Sequence, residues 1–274
     1  MTHHELTTPD PVDLHVEIGS GLVHLDLTDR TGTTTVRVEG RDAAQVAVDH
    51  DGGTVSVVAP RRGLLGAGTS PLQVHVSAPP SSRPAIRTGS AGVVVEGVAG
   101  ATRVRTGSGD VRLDVLEGES SVETGSGDLG VEHARAGLRV KTGSGQVLLG
   151  DLGADATVST GSGDVRVRRS AGAFTLKTGS GDLRVDEAGG DVSMSSGSGD
   201  LLLGRITRGR VDVKGASGAL RVGVAPGTPV WADVRTLSGR IHSALPPTGA
   251  PADGQDHVEV HGVLVSGDVT LHEA

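Results

Sequence analysis

Residues Val104-Arg105-Thr106-Gly107-Ser108-Gly109-Asp110-Val111-Arg112-Leu113 decide how the rest of the chain is read. The string Thr-Gly-Ser-Gly-Asp opens at Thr106 and again at Thr124, Thr160 and Thr178. Variants open at Thr88, where Ala91 follows the serine, at Thr142, where Gln146 takes the aspartate position, and at Ser196. All the steps from Thr88 to Ser196 are equal, with no insertion or deletion, and define an 18-residue period. An unbroken period of this kind marks a repeat architecture, in which each unit buries its apolar face against its neighbours.

The columns down the repeat agree. One holds Val104, Val122, Val140, Val158, Leu176 and Met194, and another holds Val111, Leu129, Val147, Val165, Leu183 and Leu201. A third pairs Leu113 with Val131 and Leu149, and a fourth runs from Val98 through Leu116, Ala134, Leu152, Ser170 and Ala188 to Ile206. Within each coil apolar and polar residues alternate, as in Leu138-Arg139-Val140-Lys141-Thr142, which is the period of a strand with one buried face. A coil therefore reads as strand, Gly-Ser-Gly corner, strand, and a second Gly- or Ala-rich corner. Val104, Thr106, Ser108, Val111 and Leu113 are expected to point inward. Corner glycines accept the positive φ that a sharp bend needs. No proline lies between Pro84 and Pro226, where it would delete a ladder bond of a central strand. The fold expected is all-β, a single-stranded parallel β-solenoid of 18-residue coils, wound right-handed as parallel crossovers are. No stretch carries helical apolar spacing.

Residues 1–84 read as an N-terminal β cap with irregular first coils, with strands near Val12–Ile18, Leu22–Leu27, Val36–Val38, Val46–Val48, Val55–Val58 and Leu72–Val76. Ser20-Gly21 followed by Val23 and Leu25 echoes the coil pattern, and the Gly-containing Arg61–Ser70 reads as a loop. Residues 85–222 are the regular solenoid. Residues 223–274 read as irregular coils and a cap, because Ser217-Gly218, Ser238-Gly239 and Ser266-Gly267 follow one another at widening steps. Loops inserted at 225–232 and 246–256 are the expected carriers of function. The final pair of strands, near Val258–Val265 and Val269–Leu271, is expected to close the end.

Composition fits a narrow core. The 274 residues include one Trp, one Phe, no Tyr, no Cys and 44 Gly, so Val, Leu, Ile, Thr and Ala must fill the interior. The absence of cysteine excludes disulfides, thiolate zinc sites and cysteine nucleophiles. A formal charge of −8 argues against nucleic acid as partner, which calls for a basic face. The opening residues show no basic and apolar leader pattern, and no apolar run is long enough to span a membrane, so a cytoplasmic location without membrane insertion is expected.

The signature Thr-Gly-Ser-Gly-Asp-Val/Leu-Arg-Val, as at Thr160–Val167 and Thr178–Val185, resembles the putative-adhesin β-strand-repeat family of bacteria, also called Toastrack-like. The likeness covers roughly residues 85–222 closely and the N-terminal strands more loosely. It implies a single-stranded parallel β-helix, bacterial origin and links to envelope or stress functions. Members are often membrane-attached or exported, so the resemblance also implies association with the cell surface.

Candidate chemistry centres on the column Asp110, Asp128, Asp164, Asp182 and Asp200. Stacked coils place such residues about 4.8 Å apart. Unit charges at that distance repel by about 1 kcal/mol even in water, so something must offset the column. The structural reading is that each aspartate accepts a backbone N–H in its own turn, with Arg112, Arg166 and Arg184 screening nearby. The metal-ligating alternative is calcium, as in β-rolls, but the paired Gly-Gly-x-Gly-x-Asp pattern is missing. The Thr column from Thr88 to Thr178 reads as an internal hydroxyl ladder bonding coil to coil. Eleven histidines are scattered; His257 and His261 on one strand would lie about 13 Å apart, too far for one ion. No serine elbow or phosphate loop is formed, so no catalytic residue and no cofactor are assigned. Carbohydrate-active β-helices would want aromatic platforms that this chain lacks. The function expected is a non-catalytic scaffold or protein-interaction module, docking a protein or self-associating. An envelope-associated adhesin or stress-sensing module is the alternative.

Overall fold

The computed structural model describes residues 1–8, 11–28, 32–60, 70–246 and 255–274, and the chain forms two compact units, residues 1–137 and 138–274. The loop read at 61–70, Ser70 excepted, and most of the one read at 246–256 lie outside the described residues.

The first unit carries β1 (Thr2–Thr7), β2 (Asp13–Ile18), β3 (Gly21–Leu27), β4 (Thr33–Glu39), β5 (Ala47–Asp51), β6 (Thr54–Val58) and β7 (Leu72–Ser77). It continues with β8 (Arg83–Thr88), β9 (Gly92–Ala99), β10 (Arg103–Thr106), β11 (Val111–Leu116), β12 (Ser120–Thr124) and β13 (Leu129–Ala134). A short 3-10 turn spans Ala43–Gln45. One sheet of the unit runs β1-β4-β7-β3-β9-β11-β13 and the other β5-β6-β2-β8-β10-β12. Each coil gives one strand to each sheet. Val104 lies beside Val122 and Val111 beside Leu129, so equivalent positions of successive coils are ladder neighbours. The solenoid reading holds.

The alternation expected from sequence sets which side is buried. Val104, Thr106, Val111 and Leu113 face inward, whereas Ser108 is exposed, because the corner has already turned there. The Val98 column needs a second correction. Gly97, with φ +83°, bulges β9, so that Val98 pairs with Val115 and Ala99 with Leu116, and Ala99 is the fully buried residue. A bulge adds one residue to one strand and flips the facing of those that follow. The stretch Ser20–Leu25 does form a coil, with Val23 beside Val93 and Leu25 beside Val95. The first strand, β1, lacks the apolar alternation that would mark it in the sequence; it pairs antiparallel with β4.

The second unit carries β14 (Leu138–Thr142), β15 (Val147–Leu152), β16 (Ala156–Ser162), β17 (Val165–Ser170), β18 (Phe174–Ser180), β19 (Leu183–Ala188) and β20 (Val192–Ser198). It ends with β21 (Leu201–Ile206), β22 (Gly209–Ser217), β23 (Leu220–Val224), β24 (Val230–Ser238), β25 (Ile241–Ser243), β26 (Val258–Ser266) and β27 (Val269–Glu273). Its sheets run β14-β16-β18-β20-β22-β26-β24 and β15-β17-β19-β21-β23-β27-β25. Phe174, the one Phe, is fully buried and sits between Ala156 and Val192, a large ring beside a small neighbour that keeps the narrow core filled. At the corner, Gly181 has φ +144°, and a Cβ there would lie 2.4 Å from the Gly163 carbonyl oxygen of the neighbouring coil. Only glycine fits.

The end of this unit corrects the sequence reading. The final pair, β26 and β27, does not close the stack. It slots between β22–β23 and β24–β25, so Val260 lies beside both Val211 and Ala232. The outermost coil is β24–β25, and residues 230–232 of the loop expected at 225–232 are not loop but the start of strand β24.

Candidate functional site

The aspartate column is a hydrogen-bond ladder, but its partner differs from expectation. Asp110 Oδ1 accepts the N–H of Asp128 at 3.0 Å in the first unit. In the second, Asp164 accepts from Asp182 at 3.0 Å, Asp182 from Asp200 at 2.8 Å, and Asp200 from Ala219 at 2.7 Å. These four carboxylates thus bond the backbone of the next coil rather than their own turns. A charge-assisted bond of this kind offsets the repulsion between stacked carboxylates. The opposite corner repeats the device with residues outside the aspartate column: Glu119 accepts from Gly137, Asp155 from Ala173 and Asp191 from Arg210. Alternation of acidic and small residues in the second corner was the signal available. Among the described residues no three His, Asp or Glu side chains converge as ligands of one metal ion.

The Thr column does point inward, with Thr106, Thr124, Thr142 and Thr160 each 7% exposed. Its hydroxyls mostly bond their own corner, however: Thr142 donates to the Ser144 carbonyl at 2.8 Å and Thr178 to Ser180 at 3.1 Å. The coil-to-coil hydroxyl bond described is Thr88 to Thr106, at 2.8 Å. Outward positions pair charges between coils, as in Arg135–Glu117 at 2.6 Å and Arg169–Glu187 at 2.9 Å.

The outer face of β22, β26 and β24 is different in kind. Arg210 on β22 grips Glu259 on β26 through Nη2 at 2.6 Å and Nε at 3.0 Å. His257 and His261 flank the same carboxylate, each with Nε2 at 3.5 Å. These histidines, read as scattered, therefore share one partner, and His24 likewise meets His75 with Nδ1 atoms 3.3 Å apart. The Arg210 hydrogen bond, with a smaller contribution from His261, holds the Glu259 carboxyl below its ordinary value. The ring of Trp231, on β24, tilts against His261 at 4.9 Å. Farther along the same outward face, around Arg235 rather than Trp231, lie apolar residues that alternation should have made polar: Val263 is 60%, Val265 54% and Leu237 86% exposed, and Trp231 itself is 55% exposed. The Arg210 end borders a groove lined by Gly190, Asp191, Arg208 and Asp256.

The family model Toastrack DUF4097 matches residues 7–170. The chain belongs to the Toastrack DUF4097 family. Solved structures similar to this Toastrack chain include a "putative adhesin" of Bacteroides fragilis, 12% identical, covering 98% of this chain and 96% of that one, with a TM-score of 0.42. Another is a "putative lipid binding protein" of Parabacteroides distasonis, 10% identical over 100% of this chain and 96% of that one, at a TM-score of 0.38. A "putative adhesin" of Parabacteroides merdae is 11% identical over 98% and 95%, also at 0.38. No curated protein matches the chain. Among the described residues of this Toastrack protein, no helix is long and apolar enough to cross a membrane.

Of the sequence-derived candidates, the aspartates are where the repeat placed them. The cluster around Trp231 went unread, since its members come from strands whose neighbours the period did not reveal. The chain's lone Trp at the border of the stretch 225–232 was the available signal.

Proposed function

We propose that this Toastrack chain is a non-catalytic β-solenoid that works as a protein-docking module, engaging its partner through the outer face of β22, β26 and β24. The observation that carries this reading is one outward face that exposes Trp231 beside the Arg210–Glu259 pair at one end and Leu237, Val263 and Val265 at the other. Elsewhere on the strands most outward positions are polar or charged, some paired between coils as in Arg135–Glu117, and Leu148 on β15, at 44% exposure, stands as an isolated apolar exception. Large exposed apolar side chains set among charges on one face are what interaction sites present to partners, and Trp and Arg are the side chains that most often carry binding energy.

The test uses the full chain, immobilised, with a native bacterial lysate passed over it. A protein retained by the wild type should lose about tenfold or more in affinity for Trp231→Ala, since a buried Trp anchor is worth about 2 kcal/mol or more. Circular dichroism of the variant should be unchanged, because Trp231 is outside the core. Equal retention by the variant would overturn the reading.

A further inference from the structure

We propose that the face just described is completed by a second copy of this chain, whose β24 pairs antiparallel with β24 across a two-fold axis at Val234. The inference rests on the docking reading and adds the identity of the partner.

The first observation is a free edge. Strand β24 is the terminal strand of its sheet, and nothing among the described residues pairs with its outer side. The N–H of Val258 donates to the carbonyl of Pro229, which in a parallel ladder sends the main-chain groups of 229, 231, 233 and 235 toward β26. Those of Val230, Ala232, Val234 and Thr236 therefore point outward and lack a strand. The edge spans Val230–Ser238 with neither Pro nor Gly inside it. Natural edges are normally short, bulged, charged inward or covered, because an open one templates pairing.

The second observation is the order of side chains along Val230-Trp231-Ala232-Asp233-Val234-Arg235-Thr236-Leu237-Ser238. Two copies paired antiparallel about Val234 would set every residue of the strand opposite one of its mate. On the outer face Asp233 meets Arg235 of the second copy, and Arg235 meets its Asp233. Trp231 meets Leu237, the most exposed large apolar residue of the set at 86%. On the inner face Val234 meets Val234 and Ala232 meets Thr236. This register also places the outward-pointing main-chain groups of Val234 against their own copies, as a hydrogen-bonded antiparallel pair requires. Opposite charges and apolar pairs directly across a ladder stabilise it, and a two-fold contact must be self-complementary in this way. Sliding the register to its next allowed position on either side would set Asp233 against Asp233 or Arg235 against Arg235. Charge thus selects one alignment.

The third observation is the open end. Ile241 on β25 aligns with the buried Val269 yet is 52% exposed, and Val230, Ala232 and Ser243 line a cavity there. The two-fold that joins the β24 strands covers this opening with its own copy.

The experiment is sedimentation of the full chain over a wide concentration range, with the emission of Trp231 as a second readout, since it is the one Trp present. The wild type should form a species of twice the monomer mass, and its emission should shift to longer wavelength on dilution. Asp233→Arg should abolish the dimer by setting Arg against Arg, and so should Arg235→Asp. The double exchange Asp233→Arg with Arg235→Asp should restore it. Val234→Pro, which removes an outward N–H while sparing the bonds to β26, should leave a folded monomer. A wild type that stays monomeric at every concentration overturns the inference. So does a dimer that the single charge changes leave intact, or one that the double exchange fails to restore. A monomer that still retains a lysate protein through Trp231 sinks self-pairing and leaves the docking reading standing. A monomer that retains nothing sinks both.

Discussion

The two ends of this chain solve the same problem differently. In both, the outermost coil is not the terminal one in sequence: β6–β7 stacks outside β2–β3 in the first unit, and β24–β25 outside β26–β27 in the second. At the N-terminal end the outer coil is then closed. β4 and β1 add antiparallel to one sheet and β5 to the other, and the 3-10 turn lays Ala43 and Val46 over the core at 1% and 9% exposure. The edge strands there are polar, with Glu5 on β1 and Asp49, His50 and Asp51 on β5. The C-terminal end has no such cover among the described residues, and its edge strand carries Trp231 and Leu237. A solenoid needs a polar cap at each end to remain soluble and discrete. Among the described residues, then, one end is closed by the chain's own strands, whereas the other leaves an edge strand with large apolar side chains exposed.

The largest effect should follow from breaking the closed end. Val38 on β4 is fully buried, so Val38→Asp places an unpaired carboxylate in the cap and should cost about 3 kcal/mol or more of unfolding free energy, read from urea denaturation of the full chain. Val263→Asp, on the exposed face of β26, should change stability by less than about 0.5 kcal/mol. Similar losses from the two changes would erase the distinction between the ends.

A smaller effect tests the polar groups in each end. Thr8 and Thr34 share a buried hydroxyl bond of 2.9 Å in the cap. Thr34→Val leaves the Thr8 hydroxyl buried without that partner and should cost about 1–2 kcal/mol. In the last coil the Thr236 hydroxyl reaches two carbonyl oxygens, Ser238 of its own corner at 3.2 Å and Gly267 of the neighbouring coil at 3.3 Å, and its surroundings reach water. Thr236→Val should cost about 0.5 kcal/mol or less, because solvent replaces the bond. Thermal melts of the two variants give the ranking.

How far these features could be read beforehand follows from what a side chain encodes. The inward columns, the corner glycines and the two strands per coil are visible because burial demands apolar residues and tight corners demand glycine. Neighbour order is not visible where the period loosens. The main-chain bonds that join coils carry no sequence, and Val211, Val260 and Ala232 would each fit beside several other apolar residues. The widening steps from Ser217 to Ser238 and on to Ser266 read as successive coils, whereas Ser217 in fact pairs with Ser266, and Ser238 lies beyond it. The aspartate ladder was half legible: the need for an offsetting donor came from Coulomb repulsion, but a turn N–H and a next-coil N–H satisfy the carboxylate equally well in one dimension. The bulge at Gly97 was hidden because its extra residue is absorbed before Arg103 pairs with Ala85 in the usual register. The exposed face needed the coil order first, since Trp231 meets His261, and Arg235 meets Val263, only once β26 is known to lie beside β24.

The smallest effect, and the sharpest comparison, lies in one carboxylate at each end. Arg83 donates to Asp13 through Nη2 at 3.0 Å, and this bond holds the Asp13 carboxyl below its ordinary value of 3.8. Glu259 is held below its ordinary 4.5 by Arg210 first and then by His261 and His257. In both, folding favours the ionised form. The stabilisation is present above the unfolded-state pKa and is lost as pH falls through the lower folded-state value, so the window opens near pH 4 and extends downward. For Asp13, whose side chain is 50% exposed, solvent screening limits the contribution to about 0.5 kcal/mol or less. The two ends should part when the arginine is removed. Among the described residues Arg83 is the cation that faces Asp13, so Arg83→Gln should return its titration midpoint to the ordinary range. Glu259 keeps the hydrogen bonds of both histidines, so Arg210→Gln should raise its midpoint only part of the way. Carboxyl-detected NMR titration of each variant measures both midpoints directly. Full recovery at Glu259 would mean that the histidines beside it carry no share of the cluster, and that the C-terminal face is held by a single ion pair like the one at the first coil.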